Sequence, residues 1–435
     1  MNGLIVAVVV LLLFGLGLYV SVAMGLGALL LASVLGDRDV WSVYGYVPWN
    51  TMNSFAFVAL PLFILMGELL VRSGTSAGMY NALARWFNPL PGGLLHTNVV
   101  ACALFATVSG SSAATAATIS RVALPSMRKY NYNERIAVGS LASAGTLGLL
   151  IPPSITFIIY GLMAEQSIGK LYLAAFVPGV LMTIAYMAVI AVMAMANPAI
   201  APRLASSSWR ERFTSLTALI PIALLMLLVL GTIYMGVATA SEAAAFGVSG
   251  AFVIALLNKR VNRRMLRDTF LAAAGTTAMI MLVLIGAFIL QFVLAMLGIP
   301  GAIAKWVIDM GLGPLQVVLM ICCVYLVLGT FMEELSMIVM TIPIFLPMLK
   351  ALGVNLVWFG VIVVVLVCAA IISPPVGINL FVVQNLRKQL AGKGREPPIA
   401  DVFLGVLPFF VATVVVLGLI IAFPQIALWL PGTAK

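Results

Sequence analysis

Gly145-Thr146-Leu147-Gly148-Leu149-Leu150-Ile151-Pro152-Pro153-Ser154 lies inside an apolar run that extends from about 134 to 163. Ala370-Ile371-Ile372-Ser373-Pro374-Pro375-Val376-Gly377-Ile378-Asn379 lies in the same way inside the run 354–383. Proline has no N–H to offer the carbonyl four residues earlier. Pro152 and Pro153 therefore free the carbonyls of Gly148 and Leu149, and Pro374 and Pro375 free those of Ala370 and Ile371. A carbonyl released at membrane depth needs a partner, and a hard cation with oxygen preference is a natural one. Each apolar run thus predicts a spanning helix broken near its middle.

Working outward, the composition makes these runs membrane spans. The 435 residues are 63% hydrophobic and 8% charged, with mean hydropathy +1.18. A soluble chain carries roughly 25% charged residues, so this one cannot coat a water-facing surface of its size. Apolar segments long enough to cross run at about 3–18, 20–35, 54–71, 134–163, 170–196, 217–236, 240–258, 270–297, 354–383 and 401–430. At roughly 20 residues per crossing this predicts an all-α polytopic membrane protein of about ten crossings. The N-terminus lacks a basic n-region, and its apolar run continues past Ala23, so no cleaved signal peptide is expected. Cys102, Cys322, Cys323 and Cys368 lack metal-ligand spacing and read as small buried hydrophobes. His96, the only histidine, reads as structural.

Two further apolar stretches, 94–120 and 314–346, are interrupted by Ser109-Gly110-Ser111-Ser112 and by Gly329-Thr330 with Glu333-Glu334. Both read as re-entrant hairpins, whose irregular tips survive only against protein or a wet cavity. Segments 75–89 and 299–310 are amphipathic. Met79, Leu83, Trp86 and Phe87 share one face of the first, and Ile299, Ile303, Trp306 and Met310 one face of the second. These suit helices lying along the membrane surface. The order span, span, span, surface helix, hairpin, broken span, span occurs twice. Pro125 to Pro152 and Pro347 to Pro374 are both 27 residues. Five crossings per half is an odd number, so the second copy enters from the opposite side. That is an inverted repeat, a plan of many secondary transporters.

The charge distribution supports this topology. The net charge is +10, and with both termini outside, 18 of the 23 Lys and Arg fall in inner segments, among them Lys259, Arg260, Arg263, Arg264 and Arg267. This positive-inside bias makes the basic residues orientation signals and removes nucleic acid as a partner.

The repeat interface is where chemistry is expected. Ser109, Ser111, Ser112, Thr330 and Asn379 are the candidates for substrate binding. Ser109, Gly110, Gly145, Gly148, Leu149, Gly329, Thr330, Ala370, Ile371 and Ser373 are those for an ion shell made largely of backbone carbonyls. Bland readings compete: a small-residue packing face for 109–118 and simple kinks at the proline pairs. Of Glu333 and Glu334, one lines the site, or both sit on a solvated hairpin tip. Glu242, after Thr239 and Ser241, reads as a helix N-terminal feature. No phosphate-binding loop occurs, since Gly169-Lys170 follows Ala164 where a glycine is needed and precedes Leu171. Energy must then come from an ion gradient or, as in a channel, from nothing. One Na⁺ crossing about 100 mV yields roughly 2.3 kcal/mol. The membrane region lacks a His pair, an Asp pair or a Ser–His constellation, which argues against an intramembrane enzyme.

These motifs resemble a known family, the large membrane subunit of tripartite ATP-independent periplasmic (TRAP) transporters. The matching stretches are Pro61–Glu68, Val108–Thr115, Gly148–Ser154 through Tyr160-Gly161, Ser241–Ala245, Pro343–Pro347 and Ser373–Phe381. Three positions depart from it: Ser21 replaces a proline, Lys129-Tyr130-Asn131-Tyr132 a Gly-Tyr-Asp-like turn, and Glu333 a commoner Asp. The resemblance implies Na⁺-coupled import of an organic anion, usually a carboxylate such as a dicarboxylate or a sialic acid, with two or more Na⁺ ions. It implies residence in the bacterial inner membrane and elevator-type movement of a transport domain, 94–163 plus 314–383, against a scaffold formed by 1–93, 164–313 and 384–435. The implied partners are a separate small membrane subunit of about four helices and a periplasmic substrate-binding protein. A symporter working without partners is the rival reading.

Overall fold

At membrane depth a chain satisfies its N–H and C=O groups as closed sheet or as helix. In the computed structural model residues 18–35, 41–202, 204, 207–330, 332–374, 377–391 and 397–433 are described, and every regular element among them is helical. The expected first span, 3–18, and Pro375 lie outside the described residues, Leu18 excepted.

The first half comprises α1 (Val20–Leu35), α2 (Trp41–Met52), α3 (Ala59–Arg72) and the short α4 (Thr75–Phe87). The pair α5 (Leu94–Ser109) and α6 (Ser112–Lys129) follows, then α7 (Glu134–Gly145), the single turn α8 (Leu147–Leu150), α9 (Ile155–Ala164) and α10 (Ile168–Ala196). The second half comprises α11 (Trp209–Ser215), α12 (Ile220–Tyr234), α13 (Ala240–Leu257), α14 (Arg263–Met296) and the short α15 (Ile299–Asp309). The pair α16 (Pro314–Leu328) and α17 (Glu334–Ala351) follows, then α18 (Leu356–Ala370), α19 (Ile378–Ala391), α20 (Ala400–Ala422) and α21 (Gln425–Thr433).

Six helices among the described residues are long and apolar enough to cross a bilayer, and up to eight if each of two bent pairs counts as one span. One bent pair is 134–150 with 155–164, angled at 41°. This is the break expected at Pro152-Pro153. The second arm of the later hairpin, Glu334–Ala351, also has the length and hydropathy of a span.

Helix ends follow local chemistry. Asn133 Oδ1 accepts from the Ile136 N–H at 3.2 Å, and Asn355 Oδ1 from Val357 and Trp358 at 2.9 and 3.1 Å. Each asparagine thus satisfies N–H groups left open at the first turn. Asn133 and Asn355 are 222 residues apart, as are Pro125 and Pro347, and Pro152 and Pro374. Thr146 and Cys368 have the same separation, and the Cys368 thiol points at the Thr146 carbonyl, 3.4 Å away. Packing partners exchange in the same way. The segment α6 packs on α19 as α17 packs on α9; α10 packs on α18 as α20 packs on α7; α1 packs on α14 as α13 packs on α3. This exchange is what a twofold between the halves produces.

The sequence reading assigns 164–313 and 384–435 to the scaffold; within those ranges α10 and α20 pack against the broken helices. A Cβ on Gly139 would fall on the backbone of Gly405, and one on Gly405 on the carbonyl of Arg135, so α7 and α20 cross backbone to backbone. The Tyr186 hydroxyl joins them, 2.8 Å from Thr413 Oγ1 and 3.4 Å from Thr146 Oγ1. The polar ends of α6, α7, α19 and α20 are tied by ions. Arg387 meets Glu134 at 3.2 Å and Asp401 at 3.0 Å, Arg128 meets Glu134 at 2.6 Å, and Arg135 meets Asp401 at 3.3 Å. Both surface helices form. In α15, however, Ile299, Ala304 and Val307 are buried, while Trp306 is exposed and Met310 just beyond it is too.

Candidate functional site

The first hairpin turns on Gly110, whose φ of +59° is the left-handed conformation that favours glycine. Ser111 then takes extended backbone and its Oγ accepts from the Ala114 N–H at 3.5 Å, starting α6. Ser109 Oγ lies 2.5 Å from Thr115 Oγ1, and Thr115 Oγ1 donates to the Ser111 carbonyl at 2.8 Å. The broken helix presses against this tip. A Cβ on Gly148 would stand 2.8 Å from the Ser111 carbonyl oxygen and 3.1 Å from Thr115 Oγ1, so the approach requires glycine. Gly145 faces Ala116 equally closely. Gly67 of α3 closes the other side, where a Cβ would stand 3.1 Å from the Ser109 carbonyl oxygen. Leu149 is buried within α8.

The second half repeats the construction. Thr330 Oγ1 donates to the Val327 carbonyl at 2.7 Å, and Gly329 sits against Ala370, leaving no room there for a side chain. The Ser373 N–H donates to the Ala370 carbonyl at 3.0 Å. That carbonyl, expected to be released by Pro374, therefore keeps a turn bond and has one lone pair left. Ser373 Oγ reaches the Pro374 carbonyl at 3.4 Å. Near Ile371, Gly377 at φ +32° brings the chain close to the Ile371 carbonyl.

The two halves meet through Asn379. Its Oδ1 accepts from Ser112 Oγ at 2.8 Å and its Nδ2 donates to the Ala142 carbonyl at 3.1 Å, all within the buried interior. Beside this bond lies a cavity of about 200 Å³, bordered by Gly110 and Ser111 from one hairpin, Glu333 and Glu334 from the other, Asn379, and Thr276 of α14. This is below the roughly 300–1,000 Å³ of drug-sized pockets and suits a small solute. Both glutamates border this cavity. Glu333 also caps α17, accepting from the Ser336 hydroxyl at 3.0 Å. Glu242 does not belong to the cavity. It forms a capping box with Thr239, whose N–H and hydroxyl both donate to Glu242 Oε2 at 2.8 Å.

Sequence reasoning missed four hydroxyls. Thr115 completes the first tip, and Ser143, Ser154 and Thr156 are buried near the first break with no hydrogen-bond partner. Their position beside Pro152-Pro153 was the available signal. Buried hydroxyls left unpaired cost free energy. Among the described residues no three His, Cys, Asp or Glu gather as a metal cluster.

Comparison with known proteins agrees with this arrangement. Among solved structures, the YdaH transporter of Alcanivorax borkumensis superposes with TM-score 0.69 at 16% identity, covering 98% of this chain and 99% of that one. MtrF of Neisseria gonorrhoeae superposes with TM-score 0.57 at 13% identity, covering 92% and 85%. At such identities the likeness is one of fold. Closer in sequence are the C4-dicarboxylate TRAP transporter large permease protein DctM of Pseudomonas aeruginosa, 33% identical with 88% of each chain covered, and that of Rhodobacter capsulatus, 30% identical with 99% of each covered. The sialic acid TRAP transporter large permease protein SiaM of Vibrio cholerae is 31% identical, with 87% of each covered. These relatives are transporter permeases and not enzymes. Residues 5–426 match the family described as the tripartite ATP-independent periplasmic transporter, DctM component, and the chain, a multi-pass membrane protein, belongs to that family.

Proposed function

We propose that this subunit imports a small organic anion, a C4-dicarboxylate or a sialic acid, across the bacterial inner membrane by coupling it to Na⁺. The observation that carries the reading is the acidic lining of the cavity, on a chain whose relatives include C4-dicarboxylate and sialic acid permeases. Glu333 and Glu334 line it, and among the described residues no Lys, Arg or His does. Against such a lining a bound Na⁺ offsets the negative charge of the solute, and the oxygen donors of the hairpin tips and helix breaks suit that ion.

The moving unit in this reading comprises both hairpins, both broken helices and the two helices α10 and α20 packed on them. The scaffold comprises α1, α3, α13 and α14, with the surface helices as hinged arms. This redraws the division expected from sequence, because α20 crosses α7 too closely to slide past it freely. Both termini face the periplasm. A periplasmic substrate-binding protein delivers the anion, and a separate small membrane subunit flanks the scaffold.

The test is uptake of labelled succinate and of labelled N-acetylneuraminate into proteoliposomes. Accumulation of one of them should require an inward Na⁺ gradient, the small subunit and the cognate binding protein together. Accumulation without the binding protein would replace the tripartite reading with that of a stand-alone symporter. Accumulation driven equally by a pH gradient in Na⁺-free buffer would refute Na⁺ as the coupling ion.

A further inference from the structure

A second cavity, of about 410 Å³, lies where α3 turns into α4 beside the start of α12 and the end of α13. Its polar lining is Ser73, Thr75, Thr217, Asn258 and Arg260, and among the described residues no carboxylate borders it. The floor is fixed in advance. Ser73 Oγ and Thr75 Oγ1 are 2.6 Å apart, and Asn258 Nδ2 donates to the Ser73 carbonyl and to Thr75 Oγ1, both at 3.1 Å. Arg260 forms the wall. Its Nε would stand 3.3 Å from a Cβ placed on Gly74, so the guanidinium lies over a bare backbone.

The surrounding charge is positive and largely unspent. Arg72 pairs with Glu68 at 3.4 Å, and Arg264 approaches Asp268 at 3.9 Å. Lys259, Arg260, Arg263 and Arg267 have no ion pair among the described residues. The cavity also sits at the edge of the apolar belt, since Leu224 and Leu257, exposed on α12 and α13, lie within a turn of Pro221 and Asn258 in its lining. An arginine fork matches phosphate oxygens in geometry and charge, and basic residues at the membrane edge attract anionic lipid.

We infer that this cavity binds a phosphate group, with the headgroup of an anionic phospholipid in the cytoplasmic leaflet as its source. The site is on the framework helices α3, α12 and α13, away from the transport cavity, and goes beyond the transport reading. A headgroup held there would brace the corner between α3 and α4.

The experiment uses the full chain, delipidated in detergent and titrated with mixed micelles of phosphatidylglycerol or phosphatidylcholine, with retained lipid read by native mass spectrometry. Phosphatidylglycerol should be retained as one saturable equivalent in preference to phosphatidylcholine. Arg260→Gln should weaken it on the order of tenfold, the loss of one charge-assisted hydrogen bond. Gly78→Leu, at a position where a Cβ meets only Ala218 at 3.8 Å, should fill the cavity and do the same. Arg264→Gln should leave retention unchanged. Binding of inorganic phosphate that is likewise lost in Arg260→Gln, without lipid retention, would uphold the phosphate site and assign its source to solution. Equal retention of both lipids, or undiminished phosphatidylglycerol in Arg260→Gln and Gly78→Leu, would overturn it.

Discussion

The bond between Ser112 and Asn379 joins the first hairpin to the second broken helix, and its removal has a calculable signature. Ser112→Ala strands Asn379 Oδ1, which otherwise accepts from Ser112 Oγ at 2.8 Å. Asn379→Ala strands the Ser112 hydroxyl and removes the donor, at 3.1 Å, from the Ala142 carbonyl. Each buried group left unsatisfied costs about 1–3 kcal/mol. Ser112→Ala should therefore destabilise by about 2 kcal/mol and Asn379→Ala by about 3–4 kcal/mol. The double variant strands only the Ala142 carbonyl, so its cost should fall short of the sum by about 3–4 kcal/mol. Reversible unfolding in mixed SDS micelles measures all four corners of the cycle. Na⁺-dependent uptake by the same proteins shows whether the bond positions the tip, in which case both single variants lose rate together. Additivity within about 0.5 kcal/mol, with uptake intact in Ser112→Ala, would refute the claim that this bond couples the halves.

Four other outcomes follow from the same geometry. Gly139→Leu, forced against the backbone of Gly405, should destabilise by about 3 kcal/mol or more and abolish uptake, whereas Gly418→Ala, with open space around it, should leave the thermal midpoint unchanged. Arg387→Met removes the buried guanidinium that bridges Glu134 and Asp401, which keep Arg128 and Arg135 as partners, and should cost about 1.5–3 kcal/mol in SDS unfolding. Thr156→Val removes a hydroxyl that has no protein partner; if that oxygen serves Na⁺, the Na⁺ concentration for half-maximal uptake rises several-fold, and an unchanged value assigns the hydroxyl no part in coupling. Glu333→Ser keeps a cap on α17 and should preserve stability to within about 0.5 kcal/mol while abolishing uptake; full uptake would show that Glu333 acts only as a cap.

What the sequence disclosed and what it hid divide along the range of the interactions. Proline pairs, the Gly110 turn and the asparagine caps act within a few residues of themselves, so Pro152-Pro153 and Ser109–Ser112 could be read directly. The helices α2 and α11 were not anticipated, because Trp41–Met52 and Trp209–Ser215 are short and mix aromatic with polar residues. Trp209 and Phe213 gather around Trp86 of α4, with ring centroids 6.4 and 5.6 Å away, a tertiary contact no local pattern encodes. The attachment of α20 to α7 is likewise long-range, resting on two glycines, Gly139 and Gly405, that look like ordinary small residues in their own helices. In α15, Trp306 and Met310 point away from the protein while Val307 packs into it, a tertiary contact that periodicity alone does not assign.

The separation of 222 residues that pairs Thr146 with Cys368 also pairs Ser111 with Glu333, Ser112 with Glu334, and Phe157 with Asn379. The first of these pairs performs one backbone task twice. Ser111 caps α6 through the Ala114 N–H, and Glu333 caps α17 through the Ser336 N–H. The side chains that do it differ by a full charge. Phe157 is buried and apolar where its counterpart Asn379 carries the cross-repeat hydrogen bonds. Twofold symmetry therefore governs where the backbone breaks, at Pro152 in the first half and Pro374 in the second. It does not govern the side chains around the cavity, where both carboxyls come from the second repeat and the hydroxyls, Ser111 and Thr276, one from each. An asymmetric solute needs such an arrangement, since a strictly symmetric cavity would offer the same groups to both of its ends. Duplication accounts for where the chain breaks. Divergence at Ser111/Glu333 and Phe157/Asn379 accounts for how the cavity can hold one solute in one orientation.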